Sequence, residues 1–354
     1  LVAIFDSDFI INPNFLKKTV HYFKNNENLA LVQTRWTHTN LKYSLFTLSM
    51  SIGLDTHFLI EKMGRYNTNA FLSFNGTGGV WRKSIVDKCG GWSPRTLAED
   101  LDLAYRIQLA GYKVVYLRNV TNDQEIPPTL RCWIIQQSRW SQGFSQNCRI
   151  HLKKVIFGHH GKSKVQGFLH LTQYFVPLFI TINTITGCLL SFFPEYNPSQ
   201  LSLIGFIFMI ASSFALISYS TAIFRANRPL WHCLLIPLFL FWGAGLVVRM
   251  AIGTVKGIFI TGGEFIRTPK FNILPDQKEE FTRVKIPIDS IFLIEVGYST
   301  ILFLGAIKTL SLGLEMLTIA FFYFFIAISC SALVISELFH AMVRDEKDNQ
   351  KNKN

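Results

Sequence analysis

The sequence has no C-x-x-C pair: its six cysteines, Cys89, Cys132, Cys148, Cys188, Cys233 and Cys330, are scattered. That excludes a zinc-ribbon or disulfide framework and leaves single thiols packed in a core or a membrane. Charge is also scarce, at 16% of 354 residues, where soluble domains carry about a quarter. No signal peptide is visible, and the chain opens without Met, directly on LVAIFDSD. The shortage of charge is uneven. Residues 1–161 mix charged and apolar side chains as a soluble α/β domain does. From about Gln166 to His340 long apolar stretches dominate, several reaching the roughly 18–20 residues that cross a bilayer.

The charge that is present is mostly basic, with a formal net of +12. Lys and Arg cluster at 149–164, 225–228, 267–285 and 344–353, whereas the loops 194–200 and 308–315 hold one Lys between them. The positive-inside bias makes the basic clusters cytoplasmic. Their place beside apolar spans argues against a nucleic-acid surface. The candidate spans are 170–193, 201–224, 290–310 and 312–339. Residues 233–260 are apolar enough to span but hold Arg249, Lys256 and several glycines. With the soluble part in the cytoplasm, two spans return the chain at Arg225, and a third crossing would put 267–285 outside. An interfacial or re-entrant course is therefore expected for 233–260.

Residues 1–5 read as a buried strand, 14–24 as a helix, LALVQTRW (29–36) as a second strand and KVVYL (113–117) as another. FNGTGGVW (74–81) is a glycine-punctuated turn into a strand. The spacing of Leu, Phe, Met and Ile over 43–65 predicts a helix at the membrane surface. Residues 97–110 predict a helix stopped by Gly111. Residues 131–154 predict a helix with Trp133, Trp140 and Phe144 among Arg and Lys, suited to a membrane edge. Strands alternating with helices argue for an open α/β sheet.

Asp6 and Asp8 fall at the carboxyl end of a strand, where open α/β sheets bind ligands. Two carboxylates there suit a divalent ion that holds phosphate oxygens, although Asp after a strand is also ordinary turn chemistry. Glu99 and Asp100, in LAEDLDLAYR, fall in the first turn of a helix, where the dipole favours acids. The same field is expected to lower the pKa of a carboxylate. An ionised Asp100 facing a cleft could then accept a proton from a hydroxyl nucleophile. In QQSRW, Gln136, Arg139 and Trp140 share one helical face. Arg suits diphosphate oxygens and Trp suits a sugar ring. An interfacial helix with an aromatic anchor would show the same residues.

In order, D-x-D, FNGTGG, E-D before a helix and Q-x-x-R-W before membrane spans resemble the processive, inverting glycosyltransferases of family 2, the cellulose-synthase-like polysaccharide synthases. EFIRTPK (264–270) is similar to their gating-loop motif F-x-x-T-x-K. QTRW (33–36) and FNGTGGVWR (74–82) look most like the mannan and glucomannan synthase branch. The resemblance implies a partial α/β domain of GT-A type followed by an α-helical transmembrane domain. Residues 1–161 would be the second half of a cytoplasmic catalytic domain with its interfacial helices. Residues 162–343 would be a channel domain with a gating loop at 264–272, and 344–354 a basic cytoplasmic tail. The chain would then be a multi-pass protein of a plasma or inner membrane.

The resemblance further implies Mg²⁺ or Mn²⁺ at Asp6 and Asp8, and Asp100 as the general base. Gln136, Arg139, Trp140, Glu99, Phe74, Asn75, Gly76 and Thr77 would bind the acceptor and the diphosphate. Phe265, Arg267, Thr268 and Lys270 would close over the donor. The implied partners are a nucleotide sugar (GDP-mannose, UDP-glucose or UDP-N-acetylglucosamine), a glycan acceptor and a lipid bilayer, with no nucleic acid. Ala98 stands where the family more commonly has Thr. The family also carries a nucleotide-binding half ahead of the D-x-D strand. The sequence is therefore expected to be part of a longer protein and inactive by itself. The expected reaction is a single displacement at an anomeric carbon that extends a β-glycan. The alternatives are transfer of one sugar to a lipid carrier, or a non-catalytic membrane protein in which Asp100 only caps a helix.

Overall fold

The computed structural model describes residues 1–158, 163–193, 202–271, 273 and 290–351, with the side chains of all these except 202–212 and 340–351. The loop 194–200, most of the basic segment 267–285 and the side chains of 344–354 lie outside the described residues.

A four-stranded mixed sheet, ordered β1-β3-β2-β4, carries the first part of the chain. Its strands are β1 (Val2–Ile4), β2 (Leu29–His38), β3 (Gly79–Trp81) and β4 (Lys113–Gln124). β3 pairs antiparallel with both β1 and β2, and β4 runs parallel to β2. β1 is an edge strand among the described residues, and Val2 is exposed. The opening strand expected to be buried is therefore half-open, because only β3 covers it. β4 runs past Leu117, where the apolar run ends. Its register with β2 skips from Thr34–Leu117 to Arg35–Thr121. The polar Arg118 and Asn119 fall in that bulge, so the strand continues behind a break in its pattern.

Both faces of the sheet are covered. Helices α1 (Phe15–Thr19), α2 (Leu45–Thr56), α3 (Lys62–Asn67), α4 (Lys83–Lys88) and α5 (Glu99–Leu109) follow in order. Leu103, Ala104 and Ile107 of α5, with Ile85 of α4, pack on Ala30, Leu31 and Trp81. Phe15 and Phe23 pack on Leu29, Val32 and Val80 from the other side. The spacing of apolar residues on α5 is what buries one face and leaves Glu99 and Asp100 at its start free for other work. Between α2 and α3 the helix widens into a π turn at His57–Glu61. Such turns often re-aim side chains at functional sites.

Helix α6 (Leu130–Phe157), capped by the Thr129 hydroxyl on Cys132 N–H at 3.3 Å, lies between the sheet and the apolar helices. Next come α7 (Ser163–Thr172), α8 (Phe175–Leu190), α9 (Ser202–Arg225), α10 (Ile236–Gly245), α11 (Val247–Phe259), α12 (Ile291–Leu310) and α13 (Leu317–Lys351). Ile291–Leu310 and Leu314–Phe339 are long and apolar enough to cross a membrane. Among the described residues, two further pairs qualify only if each counts as one bent span. They are α7 with α8, bent by 58°, and Leu230–Gly245 with α11, bent by 50°. The expected span 170–193 is thus broken between Thr172 and Phe175, and 233–260 forms a bent pair suited to a broken span or a re-entrant loop. α13 continues through most of the segment expected to be a tail.

α11 lies close along α6. A Cβ on Gly253 would meet Ser141 Oγ at 2.1 Å, and one on Gly257 would meet Gln142 O at 2.4 Å. Glycines four apart let the two backbones approach. A buried charge network also joins these helices. Arg249 of α11 bonds Glu295 of α12 at 2.7 and 2.9 Å and Glu337 of α13 at 3.1 Å. Arg131 of α6 bonds the other Glu337 oxygen at 2.7 Å.

Candidate active site

β1 delivers Asp6 at its carboxyl end. The Asp6 N–H donates to Thr77 Oγ1 at 2.9 Å, which ties the D-x-D turn to the FNGTGG loop. Burial and the neighbouring Asp8 charge both push the Asp6 carboxyl above its usual range, while Lys270, Arg267 and Arg139 pull it down. Lys270 Nζ lies 2.8 Å from Asp8 Oδ2 and donates to Glu125 O at 2.8 Å. The turn therefore holds two crowded carboxylates facing cations. An oxygen-only pair of this kind fits an ion that takes one or two carboxylates and completes its shell with phosphate. Among the described residues no third His, Cys, Asp or Glu joins them.

The FNGTGG loop is held from below by QTRW. Gln33 is fully buried and donates to the carbonyls of Thr77 and Gly78 at 3.1 Å each. Its Oε1 accepts from Asn75 N–H at 3.3 Å. Thr34 Oγ1 donates to Gly78 O at 2.7 Å, and Trp36 Nε1 to Thr77 O at 3.4 Å. Gly76 and Gly78 have φ of 79° and 71°, a left-handed turn that disfavours side chains. A Cβ on Gly76 would sit 3.4 Å from Asp100 Oδ2, so the loop backbone approaches that acid closely.

Asp100 is the second residue of α5, and its Oδ1 accepts the Leu101 N–H at 2.8 Å. Its carboxyl is pushed up to about 7, first by burial and then by Glu99; the Leu101 N–H and Arg139 oppose the shift. The expectation that the helix N-terminus would lower this pKa is corrected here, because loss of water outweighs the dipole. Asp100 shares a cavity of about 250 Å³ with Trp36, His57, Asn75, Gln136 and Trp140. Asp6 and Asp8 do not line it. Arg139 links the two groups, since its charge acts on Asp100, Glu99 and Asp6 together. Its guanidinium also stacks over Phe265 at 4.2 Å.

The structure therefore brings Asn75, Asp100, Gln136 and Trp140 to one cavity, with Arg139, Asp6, Asp8 and Lys270 beside it. Phe74 lines the cavity, but it is 1% exposed and packs in the sheet core against Trp81. Thr77 is buried and braces Asp6. Thr268 is buried, whereas Phe265 and Arg267 are exposed.

Three groups escaped the sequence reading. His57 Nε2 lies 3.1 Å from Asn75 Nδ2. Lys62 is fully buried, donates to Asn75 Oδ1, and lies over the rings of Phe58 and Tyr116. Glu125 accepts the N–H groups of Phe271 and Ile273 at 3.1 and 3.2 Å and so anchors the FIRTPK segment. Glu125 had a signal, an acid set between a strand and Ile-Pro-Pro. Lys62 had none, because its pocket forms only when α3 meets β4.

A family model described as "Glycosyl transferase family group 2" matches residues 1–246. The chain is 43% identical over 155 residues to glucomannan 4-beta-mannosyltransferase 1 of Oryza sativa subsp. japonica, covering 44% of this chain and 30% of that relative. It is 36% identical over 223 residues to probable glucomannan 4-beta-mannosyltransferase 11 of Arabidopsis thaliana, covering 59% and 48%. The chain thus spans about a third to a half of the length of these curated relatives. A solved structure of a mannosyltransferase from Pyrobaculum calidifontis, in complex with GDP-Man and Mn²⁺, aligns with a TM-score of 0.37 at 14% identity, over 72% of this chain and 61% of that one. The resemblance read from QTRW and FNGTGGVWR is borne out by the plant relatives.

Proposed function

Because this chain belongs to glycosyl transferase family group 2, we propose that the whole protein moves a sugar from a nucleotide-sugar donor to the hydroxyl of a growing β-glycan, with inversion. The observation that carries this is the cavity where Asp100, with a pKa pushed to about 7, meets Asn75, Gln136 and Trp140. A base poised near the working pH removes a hydroxyl proton most efficiently.

In this reading the acceptor sugar stacks on Trp140, is oriented by Gln136 and Asn75, and presents its hydroxyl to Asp100. The new C–O bond forms as the anomeric carbon–phosphate oxygen bond breaks, and Asp100 takes the proton. Arg139 and Arg267 face the side where the diphosphate leaves. Asp6 and Asp8 would hold Mg²⁺ or Mn²⁺, which when bound supplies charge neutralisation for that diphosphate. The relatives' names favour GDP-mannose over UDP-glucose or UDP-N-acetylglucosamine. Residues 1–161 would lie in the cytoplasm, 162–343 in and at the membrane with a gate at 264–272, and 344–354 would be a cytoplasmic tail. The basic clusters and the two apolar spans support that orientation.

The test uses the whole protein in membrane vesicles, each radiolabelled nucleotide sugar in turn, and Asp100→Asn in parallel. The expected outcome is label from GDP-mannose in polymer that a β-mannanase digests, lost with chelator and lost in the variant. Label confined to a short lipid-linked product would establish single transfer instead. Undiminished polymer from Asp100→Asn would overturn the assignment of the base.

A further inference from the structure

A second, open cavity of about 800 Å³ lies away from the site just described, between the end of β2, the start of α2 and the segment after α9. Arg35, Lys42 and Arg228 line it, with His38 and His232, and among the described residues Asp55 is the only carboxylate in its wall. Asp55 is already engaged. It pairs with Arg228 and accepts from His38 Nε2 at 3.3 Å. That pairing leaves Arg35 and Lys42 as net positive charge in the groove. The Arg228 and His38 side chains are 9% and 3% exposed, so this is a built wall rather than a loose surface. Arg35 Nε, His38 Nδ1 and His232 Nδ1 are buried without a hydrogen-bond partner among the described residues. Buried polar groups of this kind ordinarily have partners.

The rim of this cavity is apolar. Leu45 and Trp231, which line it, are 62% and 51% exposed, and Leu230 and Leu234, which flank Trp231 along the chain, are 71% and 78% exposed. Leu230, Trp231 and Leu234 belong to the bent apolar pair of helices, and Trp is the residue that settles at a membrane–water boundary. A cationic cup behind an apolar, tryptophan-bearing lip matches a ligand that is an anion at one end and hydrocarbon at the other. We propose that this cavity binds the phosphate headgroup of an acidic phospholipid, with its acyl chains laid over Leu230 and Leu234. Arg35 and Lys42 hold the phosphate, since Arg offers paired donors to phosphate oxygens, and His38 and His232 offer ring nitrogens. The site would seat α2 and the end of α9 at the bilayer surface. It shares no lining residue with the sugar-transfer cavity, so it stands or falls separately from the proposed reaction.

The test is binding of dioctanoyl phosphatidylglycerol to the whole protein purified in detergent, below the lipid's own micelle concentration. Dioctanoyl phosphatidylcholine and inorganic phosphate are the comparison probes. Phosphatidylglycerol should bind at least about tenfold tighter than phosphatidylcholine, and inorganic phosphate should compete poorly. Losing both cations in Arg35→Gln/Lys42→Gln should weaken it about thirtyfold, from about fivefold per basic group at a membrane surface. Leu230→Ser/Leu234→Ser should weaken phosphatidylglycerol and leave inorganic phosphate unchanged. Lys83→Gln, an exposed lysine on α4, should change neither. Equal binding of the two lipids, or full affinity in Arg35→Gln/Lys42→Gln, overturns the proposal. Inorganic phosphate that binds as tightly as the lipid, with no effect of the rim variant, makes this a soluble-anion site and overturns the lipid assignment. Should the double cation variant fail to fold, Lys42→Gln alone and the rim variant carry the same test.

Discussion

Asp100 is a carboxyl at a helix start that is nonetheless pushed up to about 7, because the cavity wall removes water from it. If it is the base, kcat/KM should rise with pH up to about 7 and level above it, and Asp100→Asn should cost at least about 100-fold. The same shift has a stability consequence with a definite sign. The carboxyl ionises near 4 in the unfolded chain and near 7 in the fold. It therefore subtracts stability progressively as pH rises from about 4 to 7, and fully above that window. Asp100→Asn should raise the thermal midpoint at pH 8 and leave it unchanged at pH 3.5, as read by differential scanning fluorimetry in detergent. A lower midpoint at pH 8 would show that burial is not what raises this pKa. Lys62 makes the complementary point at the residue scale. Its amine is held by Asn75 and two aromatic faces, so the loop beside Asp100 is braced by a residue that no motif marks.

At the scale of elements, α6 is read from both sides. One face carries Gln136, Arg139 and Trp140 towards the cavity and the loop that holds Phe265. Another is pressed against α11 through Gly253 and Gly257. Gly257→Ala would gain about 1 kcal/mol of helix propensity. Its Cβ, however, would fall 2.4 Å from Gln142 O and 2.6 Å from Ser145 Cβ. A backbone oxygen cannot swing aside as a side chain can, so the clash should prevail with a net loss of about 1–3 kcal/mol. Thermal unfolding of the variant measures this, and a raised acceptor KM would show that α6 has shifted.

At the scale of the whole molecule, four ionisable side chains from α6, α11, α12 and α13 meet in one buried network. Ionisable groups at such depth persist only when paired. Glu337→Gln leaves Arg249 and Arg131 facing a neutral amide, and breaking a buried pair costs about 3–5 kcal/mol. The variant should unfold at a markedly lower temperature and expose α6 to limited proteolysis. Unchanged proteolysis would show that the network does not tie α6 to the apolar helices.

The sequence by itself determined the family, the alternation of strands and helices, apolar spans at 290–310 and 312–339 that the structure gives as Ile291–Leu310 and Leu314–Phe339, and the motifs that nominate Asp6, Asp8, Asp100 and QQSRW as candidates for the chemistry. These were legible because strand and helix periods, span length and acid-bearing motifs are local properties of the chain. Only the tertiary structure decided the pKa of Asp100, the pairing of Lys270 with Asp8, the brace of Gln33 under the FNGTGG loop and the bend after Gly245. Each of those depends on which distant segments exclude water or bring opposite charges within bonding distance, and neighbours in sequence carry no record of that.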